Sequence, residues 1–68
     1  MRLIVNAVES EVSDLATVAD VVTGLAGPGR ERGVAVALNG DVVPRSAWAS
    51  TRPADGDAVE ILTAVQGG

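Results

Sequence analysis

Leu3, Ile4 and Val5 form the first apolar run and predict a short strand ending near Asn6-Ala7. Val8, Ser10 and Val12 then alternate with Glu9, Glu11 and Ser13. That two-residue period predicts a half-buried second strand with one acidic face. Asn6-Ala7 between them is a hairpin turn weaker than Asn-Gly, because alanine resists positive φ. Thr17 opens a different period. Its hydroxyl can accept the N–H of residue 20, and Asp20 falls at the third helical position, near the positive end of the helix dipole. Val18, Val21, Val22 and Leu25 follow at helical spacing. Valines are mediocre helix formers, so packing on a sheet has to hold this helix. Gly24 is one candidate end for it, and Gly27-Pro28-Gly29 is a certain one.

Val34, Val36 and Leu38 alternate with Ala35 and Ala37 in a third strand. Asn39-Gly40 is the strongest hairpin signal in the chain. Asp41-Val42-Val43 starts the return strand, and Pro44 stops it or holds it at an edge. An irregular connection from Ser46 to Arg52 carries Trp48, a turn follows at Asp55-Gly56-Asp57, and a last strand runs from Ala58 to Val65. This order predicts an α+β domain: a mixed sheet of four to five strands with one main helix on one face. The first and last strands can then pair in parallel at the centre, which is the β-grasp (ubiquitin-like) arrangement. Another small α+β roll with a different strand order is the alternative. The expected core joins Leu3, Val5, Val36, Leu38, Val59 and Ile61 to Val18, Val21, Val22 and Leu25. The expected division is a domain over residues 1–64 and a flexible tail over 65–68, ending in Gly-Gly.

Composition narrows the chemistry. A chain of 68 residues buries only roughly 60% of its unfolded surface, so it is one small domain. Cysteine, histidine, lysine, tyrosine and phenylalanine are absent. The usual bases, amine and thiol nucleophiles and soft metal ligands go with them, so no catalytic residue and no metal site is expected. Nine carboxylates against five arginines give a formal net charge of -4. With no basic stripe, nucleic acid is not an expected partner. No apolar run of about 18 residues exists to span a membrane. The start, Met1 to Asn6, is too short for a signal peptide, so the expected compartment is the cytoplasm.

The Gly67-Gly68 end carries the sharpest chemistry. It lacks Cβ atoms, so it can thread a narrow channel in another enzyme. A bare carboxylate does not react with sulfur nucleophiles. Attack of its oxygen on the α-phosphate of ATP turns it into an acyl donor with a good leaving group. The magnesium and cationic groups for that step have to come from a partner, because this chain offers no P-loop.

The stretch Val36-Ala37-Leu38-Asn39-Gly40-Asp41-Val42-Val43-Pro44-Arg45-Ser46-Ala47-Trp48 resembles the signature of bacterial sulfur carrier proteins of thiamin biosynthesis. Asp55-Gly56-Asp57-Ala58-Val59-Glu60-Ile61-Leu62-Thr63-Ala64-Val65 and the closing Gly-Gly resemble it too. Asn6-Ala7 departs from the Asn-Gly common at that turn, which leaves the geometry of the first hairpin open. The resemblance implies a carrier, not an enzyme. Gly68 holds the sulfur-carrying carboxylate, and Val65, Gln66 and Gly67 form the tail that enters the channel. An adenylyltransferase similar to the ubiquitin activators uses ATP and Mg on Gly68. A sulfur relay fed by a cysteine desulfurase makes the thiocarboxylate, and thiazole synthase takes the sulfur. The carrier binds no cofactor of its own and is monomeric when free. The alternatives are a carrier for molybdopterin or another sulfur-transfer pathway, and a ubiquitin-like interaction module whose tail is never activated.

If Val59 and Ile61 point inward, then Ala58, Glu60, Leu62 and Ala64 point outward, together with Ile4, Ala35 and Ala37. Leu62, Ile4 and Ala64 are the expected partner-binding surface. Trp48 reads as a cover over the core with its N–H satisfied at the sheet edge. Arg45 pairs with a partner's acidic surface or with Asp41. Asp55 and Asp57 read as turn formers rather than paired catalytic acids. Glu9, Glu11 and Asp14 read as a solvated face that steers basic partners.

Overall fold

The computed structural model describes residues 1–27 and 32–63. Five strands form one sheet: β1 (Arg2–Val5), β2 (Val8–Glu11), β3 (Val34–Leu38), β4 (Asp41–Val43) and β5 (Ala58–Thr63). Their order is β2-β1-β5-β3-β4. β1 and β5 pair in parallel at the centre, and every other pairing is antiparallel. The helix α1 (Val18–Ala26) packs on one face, and Val18, Val21 and Val22 join Leu3, Val5, Val36, Val59, Ile61 and Trp48 in one core. This is the expected β-grasp arrangement.

The local devices are those the residue types allow. Thr17 accepts the Asp20 N–H at 3.2 Å while the Asp20 carboxylate accepts the Thr17 N–H at 2.9 Å, a reciprocal cap. Gly24 does not end the helix. It continues to Ala26, and Gly27 caps it at φ 93° with its N–H bonded to the Thr23 carbonyl. Both hairpin turns put their two central residues at positive φ: 49° and 68° at Asn6-Ala7, 50° and 88° at Asn39-Gly40. The first hairpin therefore uses the same tight turn as the second, with alanine in the strained place. Left-handed geometry costs a residue with a Cβ about 1 kcal/mol. Ala7→Gly is expected to recover about that much, raising the melting temperature by roughly 4–8 °C. Thermal unfolding checks it, and an unchanged midpoint would show that the turn carries no strain.

Several expectations need correction. Leu25 is 56% exposed and is not core. It lies on the flank of α1 toward β2, where that short strand offers only the polar Ser10 and Glu11 beside it. Leu38 is half-buried, because it pairs with Asp41 at the hairpin end where the sheet stops. In β2 the acidic face is present, but Val8 on the opposite face is 63% exposed. The connection after Pro44 is not wholly irregular, since Arg45–Ser50 forms a 3-10 helix. Ala16 and Pro53 are buried without having been expected there.

Candidate functional site

The face of the sheet away from α1 is open. Along β5, Val59 and Ile61 are buried while Glu60 and Leu62 are exposed, as the alternation predicts. Leu62 is 68% exposed and lies directly across from Ala35; Glu60 lies across from Ala37, which faces Val42 on its other side. These residues rim a shallow hollow of about 130 Å³. Glu60 makes no ion pair among the described residues, so it stands as a lone charge in an apolar surround. Ile4 lies on the same face and is 38% exposed. It is in register with Ala58, four residues before Leu62 and so about 13 Å away along the strand. It belongs to a different hollow, rimmed by Arg2, Glu9, Glu11 and Asp55. The structure thus places Leu62 and Ile4 on one face but in two separate patches. Ala64, Val65, Gln66, Gly67 and Gly68 lie outside the described residues, as does the expected division at residue 64.

The end of β5 is held by an unexpected device. The Asn6 N–H makes the last backbone bond of β1 to β5, to the Val59 carbonyl at 2.9 Å, and its side chain continues the ladder from there. Its Nδ2 donates to the Ile61 carbonyl at 3.1 Å, and its Oδ1 accepts the Ile61 N–H at 2.7 Å. Asn39 acts similarly from the other hairpin, accepting the Ala58 N–H at 2.9 Å. A signal for both was present, since asparagine opens both hairpin turns and its amide can imitate a peptide group.

The remaining candidates have structural partners. Trp48 is buried and its Nε1 donates to the Val43 carbonyl at 2.9 Å, so its role is structural as expected, though it is a member of the core rather than a cover over it. Arg45 does not pair with Asp41. Its guanidinium stands 5.9 Å from the centre of the Trp48 ring. Asp55 accepts the Arg2 N–H at 2.7 Å and Asp57 the Ala54 N–H at 2.8 Å, which makes both turn formers. The bond from Ala54, with help from Asn39, holds the Asp57 carboxyl below the usual range. The N-terminal ammonium donates to Asp14 Oδ1 at 2.6 Å and to the Val12 carbonyl at 2.8 Å. The hydrogen bond to Asp14 raises the ammonium's pKa, and the same bond lowers that of Asp14. Among the described residues no cluster of three metal-ligating side chains occurs. No helix there is long and apolar enough to cross a membrane.

Comparison with known proteins decides the family. Residues 1–68 match the ThiS family. The chain belongs to the ThiS family. A crystal structure of the thiamine biosynthesis protein ThiS from Geobacter metallireducens is 37% identical. Each chain covers 100% of the other, with a TM-score of 0.81. A solution NMR structure of a thiamine biosynthesis protein from the same organism is 38% identical, with a TM-score of 0.77 over 100% of this chain and 88% of that one. No curated protein sequence matches the chain. ThiS membership and these two structures establish the β-grasp fold and support a sulfur carrier role, a small carrier rather than a catalyst. They also imply dealings with enzymes of the thiamine pathway.

Proposed function

We propose that the Gly68 carboxylate is adenylated by a partner enzyme, converted to a thiocarboxylate and used to supply sulfur for the thiazole ring of thiamin. The observation that carries this reading is the ThiS match over residues 1–68, with Gly67-Gly68 as the last two of them. In the first step the carboxylate oxygen attacks the α-phosphate of ATP and pyrophosphate leaves. Magnesium and the cations that stabilise this step belong to an activating enzyme similar to the ubiquitin activators. The outer sulfur of a persulfide, delivered by a relay from a cysteine desulfurase, then attacks the acyl carbon, AMP leaves with the electron pair of the carbon–oxygen bond, and a thiol reductant cleaves the resulting acyl disulfide to the thiocarboxylate. Thiazole synthase is the acceptor. Val65, Gln66 and Gly67 lead the terminus into the activator's channel, and Leu62, Ile4 and Ala64 form the face that docks there.

Intact mass tests the reading. The protein is incubated with ATP, magnesium, a cognate activating enzyme, a cysteine desulfurase, cysteine and a thiol reductant. The expected product carries one sulfur in place of one oxygen at its terminus, and removal of Gly68 abolishes it. An unchanged mass with every cognate activator would favour a module whose tail is never activated. Docking has its own check. Leu62→Asp is expected to slow adenylation by about tenfold or more, equivalent to about 1.4 kcal/mol. Being exposed, the site should change stability by no more than about 0.5 kcal/mol. A large fall in melting temperature would contradict the outward placement of Leu62.

A further inference from the structure

The two edges of the sheet are unlike. β4 is three residues long and runs directly into Pro44. Its pairing alternates from Leu38↔Asp41 at the tight turn, so only Val42 turns its backbone groups outward. That edge is blunted in the usual way. β2 differs. Val12 and Met1 exchange both backbone bonds, with Val12 N to Met1 O at 2.9 Å and Met1 N to Val12 O at 2.8 Å. Alternation from that pair assigns Ser10↔Leu3 and Val8↔Val5 to the bonded positions. Glu9 and Glu11 therefore turn their N–H and C=O groups away from β1, and among the described residues no strand pairs with them.

Beside this open edge lies an apolar groove between β2 and α1. It consists of two adjoining hollows of about 260 and 310 Å³. Val5, Val12, Val21 and Leu25 line the first together with Glu11 and Asp20, and the second continues past Leu15 and Ala16. Leu15 and Leu25 are exposed along it, and Val8 is exposed on β2. At Gly24 an added Cβ would meet nothing within 4 Å, so the wall is open there. On the other face of the same edge the charge is negative. Among the described residues, Glu9, Glu11 and Asp14 share only Arg2 and the N-terminal ammonium, at 2.6 to 3.8 Å.

We propose that β2 and the groove beside it form a second docking site, which takes an extended segment alternating basic and apolar residues as a sixth strand. The alternation follows from the pleat. One set of the incoming side chains lies beside Glu9 and Glu11, and the other lies beside Val8 and Ser10 over the groove. A second copy of this chain is a poor occupant. Pairing β2 with β2 sets Glu9 and Glu11 against their own counterparts, and like charges directly across a ladder are destabilising. The segment is a partner's, and the edge lies two strands from Leu62; Glu9 and Glu11 also rim the hollow beside Ile4, so the test leaves the activating enzyme out.

The test uses the full-length, isotope-labelled protein and a blocked hexapeptide of alternating lysine and valine, with no activating enzyme present. The expected result is slower amide exchange at Glu9 and Glu11, by roughly tenfold or more at saturation, with shifts at the Val21 and Leu25 methyls. Glu9→Pro removes an outward N–H without touching the β1 ladder and should abolish the protection. A charge-reversed pair, Glu9→Lys with Glu11→Lys, should lose the lysine peptide and accept one of alternating glutamate and valine. It keeps the proposal testable if the proline variant fails to fold. Three outcomes would overturn the proposal: salt-labile shifts spread over all carboxylates with exchange at Glu9 and Glu11 unchanged, shifts confined to the face around Leu62, or self-association that protects the same amides without peptide.

Discussion

Trp48→Ala is expected to remove about 4 kcal/mol of stability. A domain of this length holds roughly 3–10 kcal/mol in total, so the variant should be largely unfolded well below the parent's melting temperature. The reason lies in the composition of the core. Its other buried members are valines, one leucine and one isoleucine, all short, and no other aromatic exists in the chain. Trp48 alone reaches from the 3-10 helix into the space between α1 and the sheet. Short branched neighbours cannot swing in to refill a space of that size, so the cavity stays open. Trp48→Phe separates volume from hydrogen bonding. It keeps most of the apolar body and leaves the Val43 carbonyl without its indole donor, at a cost of about 1–2 kcal/mol. Denaturant midpoints followed by circular dichroism check both, since the tryptophan signal is lost. A cost under about 1 kcal/mol for Trp48→Ala would mean that it lies over the core rather than in it.

The order of elements was readable because each signal had a separate physical cause. The capping pair Thr17 and Asp20, the Asn39-Gly40 turn and the stop at Pro44 are local rules, and tertiary packing did not override them. The parallel pairing of β1 with β5 followed from the strand count and the single helix. Inward and outward positions on β5 followed from the pleat, and the structure bears out Leu62 as an outward residue. Leu25 was misplaced because helical spacing gives the angle of a residue around its helix but not the width of the sheet beneath it. β2 has four residues, too few to reach under that flank. The two-patch division of the open face was equally out of reach, since it depends on the register of β1 against β5. The Gly67-Gly68 end lies outside the described residues, and its chemistry rests on the residues themselves and on ThiS membership.

Asn6 was read only as part of a turn, and its larger role predicts the second large effect. Asn6→Ala removes both bonds to the Ile61 backbone and leaves a Cβ residue at φ 49°. Two lost bonds are worth about 2 kcal/mol, more where the abandoned groups stay dry. Unlike asparagine, alanine gains no local hydrogen bond in left-handed geometry, which adds about 1 kcal/mol. Asn6→Gly separates the terms, because glycine tolerates the turn and still cannot hold Ile61. It should cost about 2 kcal/mol against about 3 for alanine. The consequence is local as well as global. β1 pairs with β5 only at Ala58 and Val59, so beyond those residues the Asn6 amide is what ties β5 to β1 at Ile61, just before Leu62 and Thr63. The Ile61 N–H points to Asn6 and away from β3, so its amide exchange should quicken by roughly thirtyfold for a loss of 2 kcal/mol. Exchange at Ile61 that rises no more than at Val59 would show that β3 suffices to hold the strand. The Asn6 amide would then be a turn former only, and the outward aim of Leu62 would rest on β3.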